Sequence, residues 1–232
     1  MSVRRMLKTW EELPDYMRTE AVRPYYDLLI AKKEALLLKR VFDIVSASLM
    51  LVILSPIILI ISLAIVIDGK GGVFFRQERV TQYGKKFRIF KFRTMIANAE
   101  KLGAQVTVKN DVRVTKIGKI LRKYRMDEIP QLINIIVGEM SFVGTRPEVE
   151  KYVNKYNDEM YATLLLPAGV TSETSIIYKD EEKLLATADF VDDVYISKVL
   201  PGKMKYNLNS LKNFSFYKDI QTMARTVLAM VE

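Results

Sequence analysis

Two residue types are missing from this 232-residue chain, which contains no cysteine and no histidine. Without cysteine there is no disulfide bond and no thiolate nucleophile, and without either residue there is no zinc site of the usual nitrogen and sulfur ligands. The lack of histidine also removes the commonest general base at neutral pH. Catalysis must therefore use carboxylates, lysine, arginine or hydroxyl groups, and any metal should be a hard ion that prefers oxygen ligands. The lack of cysteine fits a reducing compartment.

Charge is also absent from one long, mostly apolar stretch, Ile44 to Ile67, which is broken by Ser55 and Pro56. About 24 uncharged residues are enough to cross a hydrocarbon core of roughly 30 Å as one helix. Basic residues flank the stretch on both sides: Lys32, Lys33, Lys39 and Arg40 precede it, and Lys70, Arg76, Arg79, Lys85 and Lys86 follow it. Because lysine and arginine near a membrane segment favour the cytoplasmic side, both ends are predicted to lie there.

Pro56 explains how a long apolar helix could keep both ends on one side. Its ring removes a helix hydrogen bond and should kink the helix, and the Ser55 hydroxyl is placed to bond the Val52 carbonyl that is left without its donor. The two arms, Val41–Leu54 and Pro56–Ile67, are then roughly 21 and 18 Å long, and neither spans a membrane alone. The pattern favours a re-entrant helix, with a kinked spanning helix as the alternative. A signal peptide does not fit, because the segment starts too far in and lacks a cleavage site.

The net charge of +9 and the pI near 9.5 indicate an anionic partner such as lipid head groups, phosphates or nucleic acid, unless the basic surface is merely solvated. We divide the chain into an N-terminal amphipathic extension (1–38), a membrane helix (39–69) and a cytosolic domain (70–232). In the extension, Pro24 can open a helix that lies on the membrane or on a partner. The alternative is a helix that packs on the soluble domain.

Residues 70–95 predict a β-hairpin, because two β-rich runs, Val73–Phe75 and Phe87–Met95, flank the turn residue Gly84. In the second run two sets of side chains alternate between faces: Ile89, Lys91 and Arg93 on one, and Phe90, Phe92 and Thr94 on the other. Two cations could thus face one anion. Basic and aromatic residues in alternation also bind single-stranded nucleic acid, and an ordinary half-buried strand gives the same pattern.

Two helices follow, with a pair of acids between them. Apolar residues recur at helical spacing from Ile117 to Tyr124, and Pro130 suits the start of a second helix, Gln131 to Val137, which Gly138 ends. Asp127 and Glu128 therefore stand just before a helix N-terminus, where anions are stabilised. Four cations should keep both acids ionised: Arg122, Lys123, Arg125 and Arg146. An ionised aspartate can attack phosphorus or hold Mg²⁺, whereas plain helix capping is the structural alternative.

An ordered set of motifs gives a family resemblance over about residues 36–225. The motifs are Lys39-Arg40-Val41-Phe42-Asp43, Ser55-Pro56, Phe74-Phe75-Arg76-Gln77-Glu78-Arg79, Lys91-Phe92-Arg93-Thr94-Met95, Met126-Asp127-Glu128-Ile129-Pro130-Gln131-Leu132 and Gly138-Glu139-Met140-Ser141-Phe142-Val143-Gly144-Thr145-Arg146-Pro147. Together they resemble the bacterial sugar transferases, the monotopic polyprenyl-phosphate phosphoglycosyl transferases. Thr145 departs from the usual Gly-Pro-Arg-Pro pattern, which bears on the rigidity of that loop.

The resemblance implies a reaction and roles for named residues. Such enzymes move a sugar-1-phosphate from a UDP-sugar to undecaprenyl phosphate and release UMP. Asp127 would be the nucleophile, Glu128 would support the metal or the geometry, and both would hold Mg²⁺. Substrate binding would fall to Lys91, Arg93, Arg122, Arg146 and Pro147, and membrane insertion to Lys39, Arg40, Ser55 and Pro56. A family turn matches Leu166–Thr171.

The expected fold is α+β and mostly helical, with a re-entrant membrane helix and a small cytosolic domain that contains a β-hairpin. Helical patterns are also present in Asp180–Leu185, Val191–Leu200 and Phe216–Met230, the last with an apolar stripe for the core or the membrane. The resemblance places the protein at the cytoplasmic face of the bacterial inner membrane with membrane lipids as partners, without nucleic acid, and leaves a homodimer open. The rival functions are a membrane-surface scaffold without chemistry and a nucleic-acid-binding membrane protein.

Overall fold

The computed structural model describes residues 6–97, 99, 111–178 and 191–231. These residues form a mostly helical protein with two small sheets. The helices are α1 Arg23–Ile30, α2 Lys33–Asp68, α3 Lys116–Lys123, α4 Gln131–Val137, α5 Glu150–Val153, α6 Glu173–Ile177, α7 Val191–Val194, α8 Leu200–Lys212 and α9 Phe216–Val231. The strands are β1 Phe74–Val80, β2 Lys86–Phe92, β3 Met140–Val143 and β4 Ala168–Thr171. The helix predicted over Asp180–Leu185 lies outside the described residues.

Helix α2 contains the apolar stretch and continues through Pro56 for 36 residues. By length and composition it could cross a membrane, and its most apolar window has a mean hydropathy of 3.1. The Ser55 hydroxyl donates to the Val52 carbonyl over 2.8 Å, as predicted. Large apolar side chains remain exposed on both sides of the proline, including Val52 at 72% and Ile60 at 65%. The outward face of α2 is thus suited to hydrocarbon rather than to water.

The N-terminal half of α2 is fixed to the domain by two of its basic residues, Lys39 and Arg40. Lys39 is buried and pairs with Asp219 of α9 over 2.6 Å, and it also donates to the Val143 carbonyl over 2.9 Å. The buried Arg40 donates to two carbonyls at the end of α4, those of Ile135 at 2.7 Å and Ile136 at 3.1 Å. The side chains of Lys39 and Arg40, which we assigned to membrane insertion, therefore point into the domain.

The C-terminal half of α2 contacts the same domain. Ile61 and Ile65 are buried in one cluster with Phe92 of β2 and Leu121 of α3. Arg93 donates to two carbonyls near the end of the helix, those of Ile65 at 2.9 Å and Gly69 at 2.6 Å, and Asp68 accepts from the Ile117 backbone amide at 3.0 Å. Both halves of α2 therefore pack on one globular body.

Strands β1 and β2 form the predicted antiparallel hairpin, in which Phe74 pairs with Phe92 and Val80 with Lys86. The turn between them includes two residues with positive φ, Tyr83 at 59° and Gly84 at 73°. The strands differ from the predicted runs, because β1 extends to Val80 and β2 ends at Phe92. One face of β2 is buried, with Ile89 in the cluster of Ala47 and Leu132. On the other face Lys86 and Arg88 are exposed, and only Phe92 at the end of the strand is buried, in the cluster of Ile61 and Leu121. Most of the strand is therefore half-buried with one wet face, which is one of the alternatives considered for this pattern.

A second sheet was not predicted. Strand β3 pairs in parallel with β4, with Met140 opposite Ala168 and Val143 opposite Thr171. We expected a turn over Leu166–Thr171, and that expectation is corrected here. Both strands have only four residues, too few to show an alternating pattern, and their pairing joins segments far apart in the sequence.

The N-terminal residues pack on the domain. Leu13, Met17, Tyr25 and Leu29 are buried in the largest hydrophobic cluster. Two hydrogen bonds connect this segment to the hairpin turn: the Lys8 amide donates to the Tyr83 hydroxyl at 2.9 Å, and the Gln82 side chain donates to the Met6 carbonyl at 2.9 Å. These contacts match the alternative of a segment that packs on the soluble domain. The division into three parts at residues 38 and 69 stays a prediction.

The C-terminal helices close the domain. A short π-helical segment, Tyr195–Val199, connects α7 to α8. Helix α9 packs through Met223 on the cluster around Ala47, whereas Tyr217 and Val227 are exposed at 76% and 63%. The apolar stripe predicted here is thus divided between the core and the outer surface.

Candidate active site

The acidic pair lies in a tight turn between α3 and α4. Arg125 has a φ of 50°, in the left-handed region, and reverses the chain after α3. A single 3₁₀ turn, Met126–Glu128, then leads through Pro130 into α4, which ends at Gly138 with a φ of 91°. The predicted position of the acids, just before a short helix, is confirmed.

Neither acid caps this helix. The first amides of α4 bond instead to backbone carbonyls, Leu132 to Ile129 at 3.1 Å and Ile133 to Pro130 at 3.1 Å. No side-chain cap is present at the N-terminus of α4. The capping alternative therefore does not explain why Asp127 and Glu128 are there.

Glu128 lies between two cations. Its Oε1 accepts from Lys91 Nζ at 2.8 Å and from Arg146 Nη2 at 2.7 Å, and its side chain is only 11% exposed. Burial alone would raise the pKa of Glu128, but Arg146 and Lys91 hold that pKa far below its ordinary value. In turn Glu128 raises the pKa of Arg146. Burial lowers the pKa of Lys91, against the attraction of Glu128. Glu128 is therefore a fixed anion.

Asp127 is in a different environment. Among the described residues no hydrogen bond or ion pair engages its carboxylate. Burial raises the pKa of Asp127, while the nearby charge of Lys91 lowers it. Adjacent acids whose environments shift their pKa values in opposite directions are typical of a division of chemical roles. Asp127 has the free oxygens and Glu128 has the fixed charge.

The other two cations that we assigned to substrate binding, Arg122 and Arg93, lie in different places. Arg122 donates through Nε to the Thr94 hydroxyl at 2.9 Å, and its charge acts on Asp127. Arg93 reaches the carbonyls at the end of α2 and not the acids, because β2 ends one residue before it. The structure thus brings Lys91, Arg122 and Arg146 to the acidic pair.

Arg146 extends from a loop whose backbone is held on both sides. The Gly144 amide donates to the Thr171 carbonyl at 3.0 Å, and the Gly169 amide donates to the Thr145 carbonyl at 2.8 Å. A Cβ atom at Gly169 would overlap the Gly144 backbone, so only glycine permits this approach. Backbone contacts therefore restrain this loop although Thr145 stands where the family usually has proline. Pro147 offers its carbonyl to Arg79 at 3.4 Å.

Sequence reasoning missed Asn134, which sets the position of Lys91. Asn134 is fully buried; its Oδ1 accepts from the Phe90 amide at 2.8 Å and its Nδ2 donates to the Arg88 carbonyl at 3.1 Å. These bonds fix β2 against α4 and so bring Lys91 beside Glu128. The signal was one asparagine inside the otherwise apolar run from Leu132 to Val137.

The acids also define where a cation could bind. Within the described ranges there is no group of three or more histidine, cysteine, aspartate or glutamate side chains that could hold a metal. A site of Asp127 and Glu128 would supply two carboxylates only. Mg²⁺ is commonly held by one or two carboxylates together with substrate phosphates.

Comparison with known proteins agrees with the motifs. Residues 34–232 match the family model described as bacterial sugar transferase. The chain is 34% identical over 194 residues to the UDP-N-acetylgalactosamine-undecaprenyl-phosphate N-acetylgalactosaminephosphotransferase of Aeromonas hydrophila, covering 82% of this chain and 43% of the relative. It is 38% identical over 152 residues to a putative undecaprenyl-phosphate N-acetylgalactosaminyl 1-phosphate transferase of Bacillus subtilis (strain 168), covering 65% of this chain and 85% of the relative.

A third relative is the UDP-glucose:undecaprenyl-phosphate glucose-1-phosphate transferase of Klebsiella pneumoniae, 34% identical over 195 residues that cover 82% of this chain and 39% of the relative. The chain thus spans less than half the length of two of these three relatives and most of the third. The match of the family model reaches from α2 through α9 and includes every residue of the acidic site. The chain belongs to the bacterial sugar transferase family.

Proposed function

We propose that this protein transfers a sugar-1-phosphate from a UDP-sugar to undecaprenyl phosphate, releases UMP, and works at the cytoplasmic face of the bacterial membrane. The observation that carries the proposal is the asymmetry of the acidic pair. Glu128 is fixed between Lys91 and Arg146, while the carboxylate of Asp127 has no hydrogen bond or ion pair among the described residues. The names of the three relatives support a polyprenyl-phosphate acceptor.

In the first half-reaction, a carboxylate oxygen of Asp127 attacks the phosphorus that bears the sugar. A new O–P bond forms to Asp127, the P–O bond to the UMP phosphate breaks, and UMP leaves with the electron pair. A half-buried carboxylate is suited to this role, because partial burial raises the pKa of Asp127 and so its basicity. No proton has to move.

In the second half-reaction, a phosphate oxygen of undecaprenyl phosphate attacks the same phosphorus. The new bond completes a diphosphate, and the O–P bond to Asp127 breaks and restores the carboxylate. Both half-reactions gather anions at one place, and preorganised cations stabilise such charge most effectively. Arg146 and Lys91 are held by Glu128, and Arg122 by Thr94, so these cations are already in position.

Mg²⁺ fits the available donors. Both cation contacts of Glu128 are made by Oε1, so among the described residues its Oε2 makes no hydrogen bond, and Asp127 makes none. Asp127 and Oε2 of Glu128 would hold the ion together with substrate phosphates. When bound, Mg²⁺ would supply neutralisation of phosphate charge.

We propose that α2 is re-entrant and that the protein is monotopic. Lys39 and Arg40 fix one half of the helix to the domain, and Arg93 and Asp68 fix the other half. One polar domain lies on one side of a membrane, so both ends of α2 should lie there as well. The exposed apolar side chains around Pro56 would then be the part that enters hydrocarbon.

The topology is tested with single cysteines, since the chain has none of its own. Cysteine at position 33 or 70 should resist a membrane-impermeant thiol reagent added outside intact cells and should react after the membrane is permeabilised. Labelling of only one of the two from outside would establish a spanning helix. Replacing Ser55 and Pro56 by alanine should increase spanning, because a straight apolar helix of this length crosses the core.

The reaction is tested by UMP release from UDP-N-acetylgalactosamine, UDP-glucose and UDP-galactose with undecaprenyl phosphate. With no lipid acceptor, the two-step reaction predicts about one equivalent of UMP per enzyme and a mass increase of one phosphosugar on the peptide that contains Asp127. Direct attack by the lipid phosphate predicts neither result. Asp127→Asn should abolish both signals, while Asp158→Asn, at an exposed aspartate, should leave them unchanged.

A further inference from the structure

A second buried polar cluster lies outside the acidic pair. It consists of Glu148, Tyr195 and Lys203, which are 6%, 3% and 6% exposed. Oε1 of Glu148 accepts from the Tyr195 hydroxyl at 2.5 Å and from Lys203 Nζ at 3.2 Å, and Lys203 Nζ also donates to the Tyr195 oxygen at 2.9 Å. Each member therefore contacts the other two.

This cluster is adjacent to the loop that carries Arg146. Glu148 is the second residue after Arg146, and its own carbonyl accepts from the Val80 amide at 2.9 Å. The intervening Pro147 carbonyl accepts from Arg79 at 3.4 Å. The segment from Arg146 to Glu148 is thus held to the end of β1 by its backbone and to α8 by the Glu148 side chain. The side chain of Arg146 extends the other way, to Glu128.

The cluster connects distant parts of the chain to this loop. Tyr195 belongs to the π-helical segment between α7 and α8, and Lys203 belongs to the first turn of α8. π-Helical segments are rare and often occur at functional sites. A buried ion pair contributes little net stability compared with apolar side chains of similar volume, so stability alone does not account for one here. What the three groups do supply is a fixed position for Glu148.

We propose that Glu148, held by Tyr195 and Lys203, is a positioning residue that fixes the loop of Arg146 and thereby keeps the Arg146 guanidinium at Glu128. The inference rests on the proposed function, in which Arg146 acts at the phosphate-binding site. It assigns a role in the reaction to residues near the C-terminus that do not contact the acidic pair.

The chain provides a matched control for this cluster. Tyr25, Glu159 and Lys212 form a second tyrosine–glutamate–lysine group, in which the Tyr25 hydroxyl donates to Glu159 at 2.5 Å and Lys212 lies 3.8 Å from the same carboxylate. This group lines a surface groove, and the Glu159 side chain is 47% exposed. Glu159→Gln therefore removes the same kind of charge from a tyrosine–glutamate–lysine group whose described contacts do not include Arg146.

The first measurement is the rate at which phenylglyoxal modifies Arg146, read by peptide mass spectrometry on the full-length protein. Glu148→Gln should speed this modification about 10-fold, because a loop that has lost a hydrogen bond to a charged group leaves the Arg146 guanidinium away from Glu128, and accessible, more of the time. The exposed Arg76 serves as the internal reference and should react at an unchanged rate in every variant. An unchanged rate at Arg146 in folded Glu148→Gln would overturn the proposal.

The second measurement is UMP release without lipid acceptor. Glu148→Gln should lower the rate about 10- to 100-fold, as expected when a catalytic group is displaced by about 1 Å. Tyr195→Phe, which removes one hydroxyl and keeps the ring, should show a smaller loss of rate. It serves as the test variant if Glu148→Gln does not fold. Glu159→Gln should match the wild type. A Glu148→Gln enzyme at the wild-type rate would refute the positioning role.

A double variant tests whether Glu148 acts through Arg146. If it does, Glu148→Gln should have almost no further effect on the rate once Arg146→Lys is present, whereas a purely structural role gives losses that multiply. The two proposals fail in different ways. Absence of UMP release from the wild type with every UDP-sugar contradicts the proposed function. Faster modification of Arg146 in Glu148→Gln would still support the positioning role.

Discussion

Glu128→Gln and Asp127→Asn should change the stability of the protein in opposite directions, although the two acids are adjacent. Glu128 neutralises two partly buried cations, Lys91 and Arg146, whereas Asp127 is a half-buried carboxylate with no hydrogen-bond partner among the described residues. Removing the charge of Glu128 therefore leaves cations without an anion. Removing the charge of Asp127 relieves a desolvation cost.

The size of the loss at Glu128 follows from its burial. Its side chain is 11% exposed, but those of Lys91 and Arg146 are 22% and 34% exposed, so solvent screens the two pairs in part. Breaking a fully buried pair costs about 3 to 5 kcal/mol and an exposed pair contributes about 0 to 1 kcal/mol, so a loss of about 1 to 3 kcal/mol is expected here. For a chain of this length, about 1 kcal/mol corresponds to roughly 2 to 4 °C, so Glu128→Gln should lower the unfolding midpoint by roughly 2 to 12 °C.

The gain at Asp127 should be smaller and should depend on pH. A stabilisation of about 1 kcal/mol, or roughly 2 to 4 °C, is typical when a functional residue under strain is replaced. Because burial raises the pKa of Asp127, its ionised form destabilises the fold at every pH above that raised value. The penalty disappears as pH falls below the ordinary aspartate pKa. The advantage of Asp127→Asn should therefore be present at pH 7 and lost in acid.

The contribution of Glu128 to the stability of the fold depends on pH in the opposite sense. Because Arg146 and Lys91 lower the pKa of Glu128, its contribution is fully present above the ordinary glutamate pKa and is lost only as pH falls through the lowered value. Thermal unfolding in detergent at pH 7 and at about pH 3, which is below the ordinary aspartate pKa, measures both variants. Glu150→Gln is the control, because Glu150 pairs with Lys86 at the surface and such pairs contribute about 0 to 1 kcal/mol. Equal shifts of the same sign for Asp127→Asn and Glu128→Gln would refute the reasoning.

Lys39→Met leaves the largely buried Asp219 carboxylate without its cation, so the unfolding midpoint should fall by roughly 6 to 20 °C. Adding Asp219→Asn should restore part of this loss, and a double variant that shows no recovery would contradict a direct ion pair. Gly169→Ala should cost about 1 to 3 kcal/mol in thermal unfolding, because its Cβ overlaps the Gly144 backbone, whereas Gly69→Ala has open space and should be neutral. Excess chelator should abolish UMP release and Mg²⁺ should restore it, and full turnover in chelator would remove the metal from the mechanism.

The parts of this fold that were predicted correctly depend on short stretches of sequence. Helix α4 was predicted from Pro130 to Gly138 because both of its ends carry local signals, a proline that opens it and a glycine in the left-handed region that ends it. The hairpin followed from two β-rich runs around Gly84. The Ser55 bond to Val52 followed from the geometry of one helical turn.

The parts that were missed depend on partners distant in the sequence. The pairing of β3 with β4 joins residues near 140 to residues near 170, and neither four-residue strand carries a pattern of its own. Lys91 and Arg93 share one face of an ideal strand, yet β2 ends at Phe92, so Lys91 reaches Glu128 and Arg93 reaches the end of α2. Which carbonyl or carboxylate a long cation contacts is decided by tertiary packing, and the sequence predicts only its charge.

The packing of α2 explains how the acidic pair could be held at the membrane surface. Ile129, the residue after Glu128, packs against two separate clusters of the core. One cluster includes Ala47 from the N-terminal half of α2, and the other includes Ile61 from the C-terminal half. The turn that carries the acids therefore contacts two clusters that contain side chains from both halves of the helix. If the apolar region around Pro56 enters hydrocarbon, both halves must emerge at the level of this turn, where the phosphate of a polyprenyl lipid would also lie.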